Sequence, residues 1–246
     1  MRKYMLLFCL SVFWGGGKTN SYGTIISWGA SSGVLPSDSS IPVENRFELA
    51  GESSFVSLSE GILNIHDDSD PLQVVFKKTG IDTIPADKDW AFETVIRMNS
   101  HNRVTLDWGA DLGIIDGNKS VLLLIAEDAV GFAALNANSF VNGMSSAMDT
   151  TDSFHSYRVI KNSNLVNLYV DNQINPVLSI PYGDFSFWTQ ETNMVMLAGT
   201  SKFGTANYDI KSFAYNLQGA AIPEPTTLLL LALGTLALRK RKYYHF

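Results

Sequence analysis

The chain has 246 residues and a formal net charge of −6. Between Lys18 and Ile222, twelve basic residues face 23 acidic ones, so this body carries −11; that balance excludes a nucleic-acid partner, because neutralising phosphates needs a basic patch. The only cysteine, Cys9, lies in an N-terminal apolar run, so the body has no disulfide and no thiolate nucleophile or ligand.

Met1-Arg2-Lys3 is a short positive region, Tyr4–Trp14 is apolar, and Gly15-Gly16-Gly17 breaks the run. This is the outline of a secretory signal peptide over residues 1–22, cleaved between Gly17 and Gly23. A retained signal anchor is the alternative. Thr24–Arg46 is rich in Ser, Gly and Pro and predicts an irregular lead-in over 23–45.

From there, short alternating segments recur between turn residues. Ser54–Ser59 and Gly61–His66 predict two strands around Ser59-Glu60-Gly61, and Leu72–Lys77 predicts a third after Pro71. In Trp90–Met98, Trp90, Phe92, Thr94, Ile96 and Met98 share one face and Ala91, Glu93, Val95 and Arg97 the other, a strand period. Val104–Trp108 and Leu112–Ile115 follow, then a turn at Asp116-Gly117-Asn118. Val121–Ala126 is continuously apolar, as in a strand buried on both faces. Val130–Leu135 is the next strand, and Asn136–Thr151 reads as a loop or edge. Tyr157–Ile160 and Leu165–Val170 flank Lys161-Asn162-Ser163-Asn164, a hairpin signal in which Asn tolerates the positive φ of a tight turn. Val177–Ile180, Met194–Ala198 and Tyr208–Asn216 complete the set. About a dozen short strands without a long helix predict two packed antiparallel sheets.

His155-Ser156-Tyr157-Arg158-Val159, a turn, then Val166-Asn167-Leu168-Tyr169-Val170-Asp171-Asn172 resembles a strand pair of the concanavalin A-like (laminin G and glucanase) jelly roll. Trp90–Ile96 resembles the strand that precedes that pair, and Tyr208-Asp209-Ile210 the closing strand. The resemblance implies an all-β, two-sheet antiparallel jelly-roll sandwich over 46–220, with no activity attached, since one fold hosts many functions. Glycosidases of this fold carry a Glu-x-Asp-x-x-Glu strand that sets two carboxylates across the sugar bond. Glu93 has no acidic residue two or five positions on, so a glycan-acting enzyme is the least favoured reading.

His66, His101 and His155 are scattered and read as turn or strand-surface residues. Asp67, Asp68 and Asp70, and separately Asp107, Asp111 and Asp116, are candidate calcium ligands; solvated turns are the alternative, and no cofactor is otherwise expected. Trp108, Tyr182 and Trp188 are candidates for stacking on sugar rings, whereas Trp90, in phase with an apolar face, reads as core.

The last segment, 221–246, has three parts. Pro223-Glu224-Pro225 cannot continue a preceding helix or strand. Thr226–Leu238 is uncharged, and Arg239-Lys240-Arg241-Lys242 is a cationic stop. Its thirteen uncharged residues make a helix of about 20 Å at 1.5 Å per residue, short for a hydrocarbon core of about 30 Å. Snorkelling basic side chains make up part of the difference. The basic cluster stays cytoplasmic and the body lies across the inner membrane. The three parts resemble the PEP-CTERM sorting signal, although Tyr243-Tyr244-His245-Phe246 follow the basic cluster where that family ends sooner. The resemblance implies that Pro223, Glu224, Pro225, Arg239, Lys240, Arg241 and Lys242 are recognised by exosortase, a membrane-embedded transpeptidase of bacteria that also make exopolysaccharide.

The expectation is therefore a non-catalytic sandwich between a signal helix and a C-terminal transmembrane helix, sorted to the cell surface or matrix. The alternative is a lectin-like module that holds extracellular polysaccharide.

Overall fold

The computed structural model describes residues 25–68, 74–81, 88–102, 109–116, 119–133, 140–182, 193–200 and 205–217. In chain order the strands are β1 (Ile26–Gly29), β2 (Glu48–Gly51), β3 (Val56–Ser59), β4 (Ile62–Asp67) and β5 (Val74–Lys78). The long β6 (Trp90–Asn102) leads to β7 (Ala110–Asp116), β8 (Lys119–Ile125), β9 (Ala129–Ala133) and β10 (Phe140–Ala147). Then come β11 (His155–Asn162), β12 (Leu165–Val170), β13 (Leu178–Pro181), β14 (Met194–Gly199) and β15 (Thr205–Asn216). Short 3-10 turns at Ala30–Ser32 and Ser53–Phe55 are the only helical pieces among the described residues.

The strands form two antiparallel sheets. The first has eight strands in the order β13-β12-β11-β6-β15-β4-β3, with β1 also paired to β15. The second has seven, β10-β9-β8-β7-β14-β5-β2. The twelve-residue β15 is the spine of the first sheet. One of its edges takes β6; the other takes β4 along Ala206–Ile210 and β1 along Ser212–Tyr215.

Alternation explains the packing. On β6, Trp90, Phe92, Ile96 and Met98 are buried on the inner face, in the phase the sequence predicts. On β15 the inward residues are Ala206, Tyr208 and Ile210, then Phe213 and Tyr215. A register shift between Ile210 and Ser212 flips the phase. The hydroxyl of Tyr208 donates to the Gly199 carbonyl at 2.9 Å and ties the two sheets together. Phe47 meets Phe213 and Tyr215 edge-on, at centroid distances of 6.0 and 6.3 Å.

The second sheet is buried on both faces. Leu112, Ile114, Leu123, Ile125, Phe132 and Leu197 join the main core, while Leu122, Leu124, Ala133 and Met196 form a separate buried cluster. Double burial is why β8 reads as an unbroken apolar run.

Two sequence expectations change. The lead-in is not wholly irregular, because β1 pairs with β15 and Trp28 is buried, its Nε1 donating to the Val34 carbonyl at 3.1 Å. The positive φ of the β11–β12 turn falls on Ser163 (φ 55°), not on a flanking Asn. The predicted strand at Val104–Trp108, the signal helix and the C-terminal transmembrane helix lie outside the described residues.

Candidate functional site

The outer face of the first sheet is polar. The residues that alternate outward are Asn64 and His66 on β4, Asn207, Asp209 and Lys211 on β15, and Arg97 and Asn99 on β6. Register brings them into rows. Asp209 faces Asn64 on one side and Arg97 on the other, and Asn207 faces His66 and Ser100. Arg97 Nη2 donates to Asp209 Oδ2 at 2.6 Å, a short charge-assisted bond to a carboxylate only 8% exposed. Asn64 Nδ2 donates to Asp209 Oδ1 at 2.8 Å and to Asn207 Oδ1 at 3.0 Å. Asn99 Nδ2 donates to the same Asn207 oxygen at 3.1 Å.

This network fixes three amides and leaves part of their capacity unspent. The Asn207 oxygen accepts two bonds, so its NH2 group turns away with two donors. The Asn64 and Asn99 oxygens accept nothing among the described residues. The result is an acceptor–donor–acceptor row whose members cannot rotate without breaking bonds.

Aromatic rings carry the neighbouring cations. Phe154 lies 4.9 Å from the Arg97 guanidinium carbon and 3.9 Å from the Lys211 ammonium. Arg158 sits over Tyr169 at 5.1 Å, and Ser156 Oγ donates to Glu93 at 3.1 Å. Lys211 has no ion-pair partner among the described residues. On this face Arg97, Arg158 and Lys211 sit among Glu93, Asp209 and Asp171, so positive and negative charge balance there within a body of charge −11.

At the end of the same sheet, in the inward phase of β11 that Tyr157 and Val159 share, stands His155. Its Nδ1 is 3.1 Å from Asp171 Oδ2 and its Nε2 is 2.8 Å from Asp152 Oδ1. Ser153 Oγ lies 3.4 Å from the same Nε2. Serine, histidine and aspartate thus fall in the order of a nucleophile triad, yet the arrangement is unproductive. A base needs a nitrogen aimed at the serine, and here both nitrogens face carboxylates, with Nε2 at 2.8 Å from Asp152 Oδ1 against 3.4 Å from Ser153 Oγ. Partial burial works against the charged ring, but the hydrogen bonds and charges of Asp171 and Asp152 outweigh it and raise the pKa. His155 is a clamp that joins the turn before β11 to the turn after β12, where Asp171 also accepts from the Ser156 amide at 3.1 Å.

The residues singled out from sequence do not converge. Tyr182 is half-buried: its ring meets Trp90 edge-on at 6.2 Å and carries the ammonium groups of Lys119 and Lys161, each 4.8 Å from its centre. Asp67 is buried at the end of β4, Asp68 beside it is exposed, and Asp111 is buried on β7 in the other sheet, against Gly199. Asp116 ends β7. No three acidic, histidine or cysteine residues gather to hold a metal among the described residues. Trp108, Trp188, Asp70, Asp107 and the seven sorting residues, Pro223, Glu224, Pro225, Arg239, Lys240, Arg241 and Lys242, lie outside them. Sequence reasoning missed the amide row, although each member sits in the outward phase of an alternating strand.

Residues 221–242 match the PEP-CTERM protein-sorting motif. The chain carries a PEP-CTERM sorting signal. The signal marks an exported, membrane-anchored precursor that exosortase sorts. Among the described residues no helix is long and apolar enough to cross a membrane.

The body ahead of the PEP-CTERM signal is similar to concanavalin A-like lectin and glucanase jelly rolls. Arcelin-5, a lectin-like defence protein from Phaseolus vulgaris, superimposes with TM-score 0.50 at 10% identity, over 79% of this chain and 98% of that one. A prokaryotic β-1,3-1,4-glucanase (lichenase) derived from a mouse hindgut metagenome gives 0.48 at 12%, over 78% and 99%. The binding domain of botulinum neurotoxin DC gives 0.43 at 11%, over 72% of this chain, which spans 44% of its length. No similar sequence is found among curated proteins.

Proposed function

We propose that this PEP-CTERM protein is a non-catalytic component of the bacterial cell surface or extracellular matrix, released from its membrane-held precursor when exosortase cuts near Pro223–Pro225. The observation that carries the reading is the sorting motif at 221–242, placed behind a sandwich of the lectin and glucanase type. The unproductive His155 cluster favours binding over catalysis. A second reading within the same destination, a lectin-like module that holds extracellular polysaccharide, is favoured by the fixed amide row on the first sheet. The reading asks for no cofactor; chelation with EDTA is expected to leave the melting temperature of the body unchanged.

Intact mass of the protein recovered from its native cells tests the proposal. A C-terminus near Pro223–Pro225 is the expected result. A mature chain that still ends at Phe246 overturns it and leaves a permanent anchor.

A further inference from the structure

Two sheet faces are candidates for ligand binding, and they differ in kind. The outer face of the second sheet presents the apolar Leu122, Leu124, Ala133 and Met196, which offer no hydrogen bond to a hydroxyl-rich ligand. The outer face of the first sheet combines three fixed amides, one half-buried ion pair and an ammonium on an aromatic ring.

We infer that the outer face of the first sheet binds a uronate-bearing polysaccharide. The vicinal hydroxyls of one sugar pair with the Asn64–Asn207–Asn99 row, and the carboxylate of a neighbouring sugar pairs with the Lys211 ammonium. This inference rests on the matrix reading above. A sugar diol alternates donors and acceptors, and the row offers the outward Asn207 NH2 between the Asn64 and Asn99 oxygens. The row is preorganised because Asp209 holds Asn64 at 2.8 Å and is itself held by Arg97 at 2.6 Å. Little rotamer freedom is then lost on binding.

Lys211 fixes the second half of the ligand. Its ammonium lies over Phe154 with no carboxylate partner among the described residues. Arg97, by contrast, is already neutralised by Asp209. Lys211 and Asn207 lie four positions apart on β15, about 13 Å along a strand. That exceeds the reach of one pyranose ring, so the ligand is a chain. The remainder of the body is strongly acidic and repels a polyanion, which confines binding to this face and makes it salt-sensitive.

The full chain in detergent micelles is titrated by calorimetry with three uronate oligosaccharides (galacturonate, glucuronate and mannuronate) and a neutral glucan of matched length. At least one uronate is expected to bind more tightly than the glucan, with affinity falling as salt rises. Lys211→Gln is expected to weaken that uronate about tenfold and flatten its salt dependence, leaving the glucan unchanged. Asn207→Ala is expected to weaken both ligands, with a melting temperature close to the parent's. Failure of all three uronates to bind overturns the inference, as does parent-like binding by both variants. These outcomes are independent of the mature mass: a processed tail with no uronate binding sinks the inference and leaves the matrix reading intact.

Discussion

Asp209 is the member of the polar network whose removal is most informative, because two bonds meet on its two oxygens. Asp209→Asn keeps the shape and the acceptor for Asn64, and removes only the charge that faces Arg97 at 2.6 Å. Hydrogen bonds to charged groups contribute about 1.5–3 kcal/mol, whereas exposed ion pairs contribute about 0.2–1 kcal/mol. Asp209 is 8% exposed and Arg97 35%, so the pair lies between these limits, at about 1–2 kcal/mol. Arg97 keeps its contact with Phe154 and is not left wholly without compensation. For a domain of this size the loss is expected to lower the melting temperature by about 2–8 °C. A double-mutant cycle of Asp209→Asn with Arg97→Gln, read by urea denaturation, isolates the pair. Coupling of about 1 kcal/mol or more is expected. Additivity to within about 0.3 kcal/mol would show that the pair does not organise the face.

Three further outcomes follow from the packing. His155 has a raised pKa, so its clamp contributes fully below the unfolded value of about 6.5 and is lost as pH rises through the folded value. The pKa of Asp152 is lowered by its hydrogen bond to His155, so its share is lost again as pH falls toward the carboxylate range. The stability difference between the parent and His155→Gln is therefore expected to be larger at pH 5.5 than at pH 8.5; an equal difference at both would refute the clamp. Trp28→Ala is expected to cost about 3–5 kcal/mol in urea denaturation, because β1 seats a buried indole; a loss below about 1 kcal/mol would place β1 outside the folding unit. Gly113→Ala sets a Cβ 2.0 Å from the Val121 carbonyl oxygen in the middle of the second sheet. A loss of about 3 kcal/mol is expected, and an unchanged denaturation midpoint would contradict the close approach of β7 and β8.

The strands that alternate cleanly, or that are buried on both faces, were legible in the sequence. β6 and β8 appear where period and composition place them, and so does the β11–β12 hairpin. What escaped has local causes. β1 is four residues long, and its sequence Ile26-Ser27-Trp28-Gly29 carries too little alternation to stand out in a Ser/Gly-rich stretch. β15 was legible as Tyr208–Asn216, but its change of phase at the register shift was not, since a single period cannot describe it.

The site escaped for a different reason. Asn64 and Asn207 are 143 residues apart, and Arg97 and Asp209 are 112 apart. Each is the ordinary outward residue of a half-buried strand, and alone it carries no chemistry. They become a network only because β15 pairs with β4 on one edge and with β6 on the other. The same register sets the two candidate acid groups apart, with Asp67 on the first sheet and Asp111 on the second. The sandwich then decides which face is available. Leu122, Leu124 and Met196 make the outside of the second sheet largely apolar, whereas a hydroxyl-rich ligand meets a row of fixed amides on the outside of the first.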